Sequence, residues 1–369
     1  MLFPDEALFS NSLTDLGERI APHTPPTFNP LPCDRWIARS CLQKAIRRGE
    51  VALAQRALAN LFDYDRRATW RHLVIIAVED VGVANAELLA QIVAAQRDRK
   101  WREQAGGDWI VMSALVREMS QSPHCQAVCD LLLRATNDPA LDNIRAAALD
   151  IPKDDLARTL WDGGAELFDR AIAALALGGG LAEGQAHNDP YAVFEILADA
   201  CPRTHVVATS RAAWRLSRNP MALLLPLVWE QWSSCSAHSF SDDIMPPIEI
   251  INGVPGYALD QFTRAGNEIA RAYLAVDTEM RDHLATIGIP RVSQHRVIGD
   301  LLFLMEGTNV CRRLSWRLGE KLRHPARMLP STVLVGLALS KLSTEFVGKA
   351  PLIANLRSNY LNRLAKFHD

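Results

Sequence analysis

The sequence has no long hydrophobic run. Its most apolar later stretch, residues 221–229, is too short to cross a bilayer and contains Pro226. The N-terminal residues MLFPDEALFSNSL carry acidic side chains where a secretory signal needs a basic stretch. We therefore expect a soluble, cytoplasmic protein with no membrane partner.

Motifs for metal binding and nucleophilic catalysis are also missing. His124, Cys125 and Cys129 share one predicted helix, but structural zinc takes four ligands and no second ligand pair occurs. No G-x-S-x-G motif is present, and the crowding of Ser, Cys and His at 234–238 is poor evidence for a triad. We predict no catalytic and no metal-binding residues. Reduced thiols are the simplest account of the seven scattered cysteines, at positions 33, 41, 125, 129, 201, 235 and 311.

The sequence contains no phosphate-binding loop of the form G-x-x-x-x-G-K-S/T. The glycine run at 178–180 follows a predicted helix and lacks the Lys-Ser/Thr pair that would complete such a loop. We therefore expect no bound cofactor and no ATP hydrolysis by this chain alone.

An excess of charge of one sign is lacking, since the net charge is −2. The distribution is nevertheless uneven. Residues 311–369 contain eleven Lys and Arg against three acidic residues, a net charge of +8, and the rest of the chain carries −10. This asymmetry indicates either an anionic partner for the basic end or packing of that end against the acidic remainder.

The pattern that is present is helical. Hydrophobic residues make up 49% of the chain and charged residues 22%, which is typical of a globular protein. Residues 1–33 are rich in proline and predict an irregular arm. From Asp34, a suitable N-cap, apolar residues recur at helical spacing. The predicted helices cover 34–48, 51–62, 67–79 and 108–120. Another predicted helix is capped by Asn85, and one more is opened by Ser122-Pro123. Short connections predict a compact bundle over 34–137.

The turn at Asn137-Asp138-Pro139 is a candidate boundary. Helical signal continues beyond it at 154–177, 189–200, 208–217, 220–232, 257–275, 277–287, 295–321 and 331–345. Residues 248–251 are the best strand candidate, because they are β-branched and precede the turn signal Asn252-Gly253. The sequence thus predicts an all-α fold: a multi-helix bundle followed by a second mainly helical region, 138–369, with a basic C-terminal part.

Three segments in a fixed order carry a resemblance to a known family. They read CLQKAIRRGE at 41–50, WRHLVIIAVEDVGVA at 70–84, and SAL at 113–115 with SQSPHCQA at 120–127. They resemble the helical region after the ATPase lid in the RarA/MgsA family of clamp-loader-like AAA+ ATPases, over about residues 36–137 only. The resemblance implies helical oligomerisation, a homo-oligomer, and a setting in DNA replication, repair or recombination. Only about 35 residues precede it, so we expect the ATPase module to be absent and a separately encoded ATPase or replication protein to be a partner.

Two basic rows are candidate nucleic-acid contacts. The row Lys44, Arg47, Arg48 faces either phosphate or solvent. Three residues of the other row lie at i, i+4 and i+8 along one face of a predicted helix beside Trp316, which either stacks on bases or belongs to the core. A cationic stripe of this kind neutralises phosphates regardless of base sequence. The C-terminal row comprises Arg312, Arg313, Arg317, Lys321, Arg323 and Arg327.

A polar row beside a Gly/Pro-rich turn is a candidate functional surface. It comprises Tyr257, Asp260 and Arg264, and the i, i+4 spacing of Asp260 and Arg264 suits an intrahelical ion pair. Its alternative role is an interhelical polar contact. Glu79-Asp80, at the end of an apolar helix, suits a structural role in capping or in pairing with an arginine.

Three functional hypotheses follow. The first is a non-enzymatic accessory or scaffold protein of DNA metabolism that self-associates and contacts DNA, single- or double-stranded, or a DNA-bound partner. The second is a protein–protein adaptor or regulator, related to phages or mobile elements, that contacts no nucleic acid. The third is an all-helical enzyme of unknown chemistry, with a pocket between the bundle and residues 140–369. A deep polar cavity near Tyr257, Asp260 and His295 would favour it.

Overall fold

The computed structural model describes residues 4–182, 187–200, 204–328, 346 and 348–365. These residues are mostly helical, with a few short strands, which confirms the predicted all-α class. They form two compact units, each assembled from separate stretches of the chain. None of the described helices is long and apolar enough to cross a membrane.

The first unit comprises Met1–Pro25, Arg67–Ser241 and Arg312–Ala326. Its helices are α1 (Pro4–Ile20), α4 (Arg66–Ile76), α5 (Ala86–Arg97), α6 (Arg99–Gln104), α7 (Asp108–Gln121), α8 (Ala127–Asn137), α9 (Asp142–Asp150), α10 (Lys153–Trp161), α11 (Leu167–Gly178), α12 (Pro190–Ala200), α13 (Thr204–Ser217), α14 (Met221–Ser233) and α18 (Arg317–Met328). Strands β1 (His238–Ser241) and β4 (Arg313–Trp316) form a two-stranded antiparallel sheet in this unit.

The second unit comprises Pro26–Arg66, Asp242–Cys311 and Arg327–Asp369. Its core lies around Tyr273 and Phe346, whose ring centroids are 5.2 Å apart. Its helices are α2 (Arg35–Arg47), α3 (Val51–Tyr64), α15 (Arg264–Val276), α16 (Thr278–Thr286), α17 (Arg291–Glu306) and α19 (Ala350–Ala365). Strands β2 (Ile250–Ile251) and β3 (Val254–Pro255) form a small antiparallel hairpin, so the predicted strand at 248–251 is confirmed at its last two residues.

The structure corrects several predictions about local elements. The N-terminal segment is not an irregular arm throughout, because α1 occupies residues 4–20 and buries Phe9, Leu13, Leu16 and Ile20 on one face. Proline stands at its first residue, where the missing N–H breaks no helical hydrogen bond. The helix predicted from Ser122-Pro123 begins instead at Ala127.

Three further helix predictions differ from the structure. The one over 257–275 begins only at Arg264, after a separate turn at Gly256–Ala258. The one over 154–177 is divided into α10 and α11, and the one over 295–321 ends at Glu306, before β4. The segment 34–137 contributes to both units, and the domain boundaries drawn from the sequence stay a prediction. The helix predicted over 331–345 lies outside the described residues.

The segment around Glu79-Asp80 has a structural role within the first unit. Residues Ala77–Val81 form a single π-helical turn, a type of irregularity in which the hydrogen-bond ladder is widened. Asp80 is fully buried; its carboxylate accepts a hydrogen bond from the Gln126 side chain at 3.1 Å and its carbonyl accepts one from Cys125 N at 2.8 Å. Gly82 follows with φ +51°, and a Cβ there would lie 2.5 Å from the Cys125 carbonyl oxygen. The close approach of these two segments therefore requires glycine.

Candidate nucleic-acid interface

The basic row Lys44, Arg47, Arg48 is buried inside the second unit, on α2 and at its C-terminal end. The Lys44 ammonium forms an ion pair with the Asp260 carboxylate and donates to Ser40 Oγ at 2.6 Å. Arg47 Nη1 donates to the Gly307 carbonyl at 2.9 Å. Burial lowers the pKa of Lys44, and the Asp260 carboxylate opposes that shift. This row is therefore neither a phosphate contact nor a solvated face.

Arg48 continues the buried polar network. Its Nε donates to Glu50 Oε1 at 2.6 Å and its Nη2 to the Pro246 carbonyl at 2.7 Å. The guanidinium also lies 4.9 Å from the centre of the Tyr257 ring, and the Tyr257 hydroxyl donates to Glu50. Burial raises the pKa of Tyr257, and the nearby Cys41 and Glu50 add to this shift.

The predicted functional surface of Tyr257, Asp260 and Arg264 does not form. Tyr257 and Asp260 are buried, whereas Arg264 is exposed and pairs with Glu268 at 2.9 Å. The predicted Asp260–Arg264 ion pair is wrong, because Asp260 precedes α15 and its carboxylate is committed to Lys44. Tyr257 and Asp260 thus take the alternative role, a polar contact between elements.

A further ion pair of this unit, which the sequence did not indicate, joins buried Arg357 to Glu306, whose side chain is 26% exposed. Arg357, 1% exposed on α19, donates through both terminal nitrogens to the two carboxylate oxygens of Glu306, at 3.0 and 2.7 Å. This two-point geometry is the strongest form of an arginine–carboxylate contact. No helix was predicted over residues 350–365, and the partner of Arg357 lies on α17.

The exposed residues of the C-terminal basic row lie in the first unit, just before and after strand β4. All four residues of β1 are exposed, and Phe240 is 47% exposed. The Arg312 guanidinium lies 5.3 Å from the centre of the Phe240 ring, a cation–π contact. His238 stacks edge-on against Phe240 and also against Trp232. His238, Phe240 and Arg312, together with exposed Arg317 and Lys321 on the helix that directly follows β4, are called the ribbon surface below.

The C-terminal basic row is divided between the ribbon surface and the interior. Arg317 and Lys321 are exposed at the start of α18. Arg313 lies on β4 and is buried, so the predicted helical stripe of Arg313, Arg317 and Lys321 is wrong. The pairing of β4 with β1 takes Arg313 out of the helix that the charge spacing indicated.

The remaining residues of the C-terminal basic row add little to the ribbon surface. Arg323 is half-buried and pairs with Glu320 on the same helix. Trp316 is buried, in accordance with a place in the core, and the side chain of Arg327 lies outside the described residues. The exposed aromatic residue next to the arginines is therefore Phe240, which no periodic pattern singled out.

A second exposed aromatic–arginine contact lies in the second unit and was also missed. The Arg35 guanidinium lies 4.7 Å from the centre of the Trp36 ring and 4.5 Å from that of the Tyr64 ring. Both rings are about half exposed or more, at 49% and 60%. An Asp34-capped helix start places Arg35 and Trp36 side by side, so adjacent aromatic and basic letters were the available signal.

No family model, curated protein or solved structure matches this chain. The resemblance to RarA/MgsA proteins therefore depends on the three sequence segments alone.

Proposed function

We propose that this protein binds single-stranded nucleic acid through the ribbon surface, as a non-enzymatic accessory protein of DNA replication, repair or recombination. The observation that carries the proposal is the exposed Phe240 ring under the Arg312 guanidinium, followed along the chain by exposed Arg317 and Lys321. Exposed aromatic rings beside cations are the common means of binding unpaired bases together with their phosphates.

The two parts of the surface have different physical roles. A base stacked on Phe240 contributes about 1–3 kcal/mol without regard to its identity. Arg317 and Lys321 neutralise phosphates and release counterions, which makes binding salt-dependent. Arg317 is also the first residue of α18, and the N-terminal end of a helix attracts anions.

Fluorescence anisotropy with labelled single- and double-stranded oligonucleotides, at two salt concentrations, tests the proposal. We expect binding of the single strand that weakens with salt, and weaker binding of the duplex. Phe240→Ala is expected to reduce affinity about tenfold at low salt, in line with the loss of one stacked base. The absence of binding at low salt would refute the proposal.

A charge-matched pair of variants separates the ribbon surface from general electrostatics. The test variant is Arg317→Glu with Lys321→Glu; the control is Arg99→Glu with Arg158→Glu, on α6 and α10. The control side chains are 84% and 79% exposed and, within the described part of the chain, form surface ion pairs with residues of their own helices. Both variants change the net charge by the same amount. Equal loss of binding in both would contradict a localised interface.

The aromatic pair of the second unit provides a comparison surface. Trp36→Ala with Tyr64→Ala removes the two rings that flank Arg35. We expect this variant to bind single strands like the wild type. If it loses binding while the Phe240 and charge-reversal variants do not, the interface lies around Arg35 instead.

The assembly part of the proposal depends on the resemblance. It gives the helices of 34–137 a role in self-association and a separately encoded ATPase as a partner. Multi-angle light scattering of the purified chain tests the first point directly. A monomer across the accessible concentration range would remove self-association from the proposal.

A second candidate function, a protein adaptor, is favoured by one observation. Strand β1 is exposed at all four residues and, among the described residues, pairs on one side only, with β4. An edge strand of this kind accepts an added strand from another protein through backbone hydrogen bonds. The charge-reversed variant Arg317→Glu with Lys321→Glu distinguishes the candidates, because strand addition tolerates it and nucleic-acid binding does not.

A further inference from the structure

A cavity of about 320 Å³ lies among helices α1, α5, α13 and α14 of the first unit. Most of the side chains that line it are apolar, among them Leu8, Ala90, Val206 and Leu225. The last three are buried, so the inner wall belongs to the packed interior of the unit. The volume lies at the lower end of the range of small-molecule sites, about 300–1,000 Å³.

One polar group of the lining has an unmet hydrogen bond. Trp229 lines the cavity, and its buried indole Nε1–H has no acceptor among the described residues. A buried N–H that gives up water without a new acceptor is unfavourable. An acceptor atom on a molecule inside the cavity would satisfy it.

Charged or titratable groups of the described lining are confined to two exposed residues, Glu87 and His205. Glu87 is exposed, accepts a hydrogen bond from Gln91 at 3.1 Å and lies 3.9 Å from Arg19. The buried residues that the structure describes in the lining carry no charge, so desolvating an ion there is unfavourable. The lining therefore selects a neutral molecule.

Size limits the occupant further. A helix with its side chains is about 10 Å or more across, too wide for this volume. A molecule of one or two fused rings fits it.

We propose that this cavity is a binding site for a small, neutral, largely apolar molecule that carries one hydrogen-bond acceptor for Trp229. The site is independent of the ribbon surface and of nucleic-acid binding.

The probe for the test is prodan, a neutral naphthalene with a ketone acceptor whose emission shifts to the blue in apolar surroundings. Titration of the full chain with prodan is expected to give a saturable blue-shifted signal with one site per chain. Ala90→Phe, which adds a ring to the inner wall, is expected to weaken binding at least about tenfold, because the ring occupies the volume of the probe.

Trp229→Phe tests the hydrogen bond separately from the volume. Since a neutral hydrogen bond contributes modestly, we expect prodan affinity to fall about threefold to tenfold. Affinity for 2-dimethylaminonaphthalene, which lacks the ketone, is expected to stay unchanged in this variant. An equal loss for both probes would overturn the role of the indole N–H.

Ala7→Leu is the matched control, because Ala7 is exposed on α1 and does not line the cavity. Far-UV circular dichroism establishes that each variant is folded, and if Ala90→Phe does not fold, Ala90→Leu replaces it. The proposal is overturned if the wild type gives no saturable signal up to the solubility of prodan. It is equally overturned if the cavity-filling variant binds prodan as well as Ala7→Leu does.

Discussion

The buried ion pair of Lys44 and Asp260 gives the sharpest stability prediction. Both side chains are almost fully buried, with 4% and 2% of their surface exposed. Removing one member of such a pair leaves the other charge without compensation, which costs about 3–5 kcal/mol. We therefore expect Asp260→Ala to destabilise the second unit by about that amount.

Lys44→Met should lower the free energy of unfolding less than Asp260→Ala does, because the group left behind keeps more hydrogen-bond partners. In Lys44→Met, the Asp260 carboxylate keeps Ser40 Oγ at 3.3 Å and Phe262 N at 3.1 Å as donors. In Asp260→Ala, the Lys44 ammonium keeps only the Ser40 hydroxyl among the contacts described above. We expect about 2 kcal/mol for Lys44→Met. The double variant should be more stable than Asp260→Ala, because it buries no unpaired ammonium.

The pH dependence has a definite sign. Burial already lowers the pKa of Lys44 from 10.5, and loss of Asp260 removes the opposing interaction. Between the lowered folded pKa and 10.5, the unfolded chain binds the proton and the folded chain does not, so stability rises with pH. The deficit of Asp260→Ala relative to the wild type should therefore shrink as the pH is raised towards 10.

Urea unfolding followed by circular dichroism, at pH 7 and pH 9.5, measures these quantities from the transition midpoints. Arg264→Ala is the control, because it breaks an ion pair that is 87% exposed on the arginine side and should change stability by about 0.5 kcal/mol or less. The reasoning is refuted if Asp260→Ala costs no more than the control, or if Lys44→Met is the more damaging change.

Three other perturbations test separate features. Gly82→Ala should destabilise the first unit by about 2 kcal/mol more than Gly107→Ala. Both glycines have a positive φ, but only a Cβ at Gly82 would meet a backbone oxygen. Scanning calorimetry compares the two variants, and equal losses of stability would contradict the close approach at Gly82. Burial raises the pKa of Cys125 to about 11, so its thiol should react with Ellman's reagent at pH 8 only when the protein unfolds. Rapid labelling of Cys125 in the folded protein, located by mass spectrometry, would contradict its burial. Arg357→Met should lower the free energy of unfolding by about 2 kcal/mol in urea, because the Glu306 carboxylate loses its two-point partner; an unchanged midpoint would contradict that pairing.

The local elements were predictable where their signals are local. Asp34 caps α2 through Trp36 N and Ile37 N, and Asn85 caps α5 through Leu88 N, both as the sequence indicated. The prediction of an irregular arm over residues 1–33 is wrong for α1, because most of the prolines in that segment follow the end of the helix at Ile20. Pro4 occupies the one part of a helix where proline is harmless.

The tertiary contacts were not predictable from one sequence. Lys44 and Asp260 were both singled out, but each was assigned to a separate surface, and only folding brings α2 against the segment before α15. The helical spacing of Arg313, Arg317 and Lys321 predicts a helix where the structure has strand β4. Its partner β1 lies far away along the chain, so no local pattern revealed the pairing.

These contacts reduce the number of basic residues in the C-terminal region that are available to bind DNA, and the number that remains gives a quantitative expectation. Of its Lys and Arg residues, Arg313 and Arg357 are buried, Lys349 pairs with Asp277 at 2.9 Å, and Arg323 pairs with Glu320. The net charge of +8 therefore overstates the positive charge that this region exposes to solvent.

The ribbon surface offers three exposed cations, Arg312, Arg317 and Lys321. Neutralisation of about three phosphates of a single strand gives a slope near −2 in a plot of log affinity against log salt concentration. Anisotropy titrations at four or more salt concentrations measure this slope. Arg317→Glu with Lys321→Glu should flatten it, because the surface then keeps one cation. A wild-type slope of about −5 or steeper would require many more phosphate contacts than this surface can make, and would place the interface elsewhere on the protein.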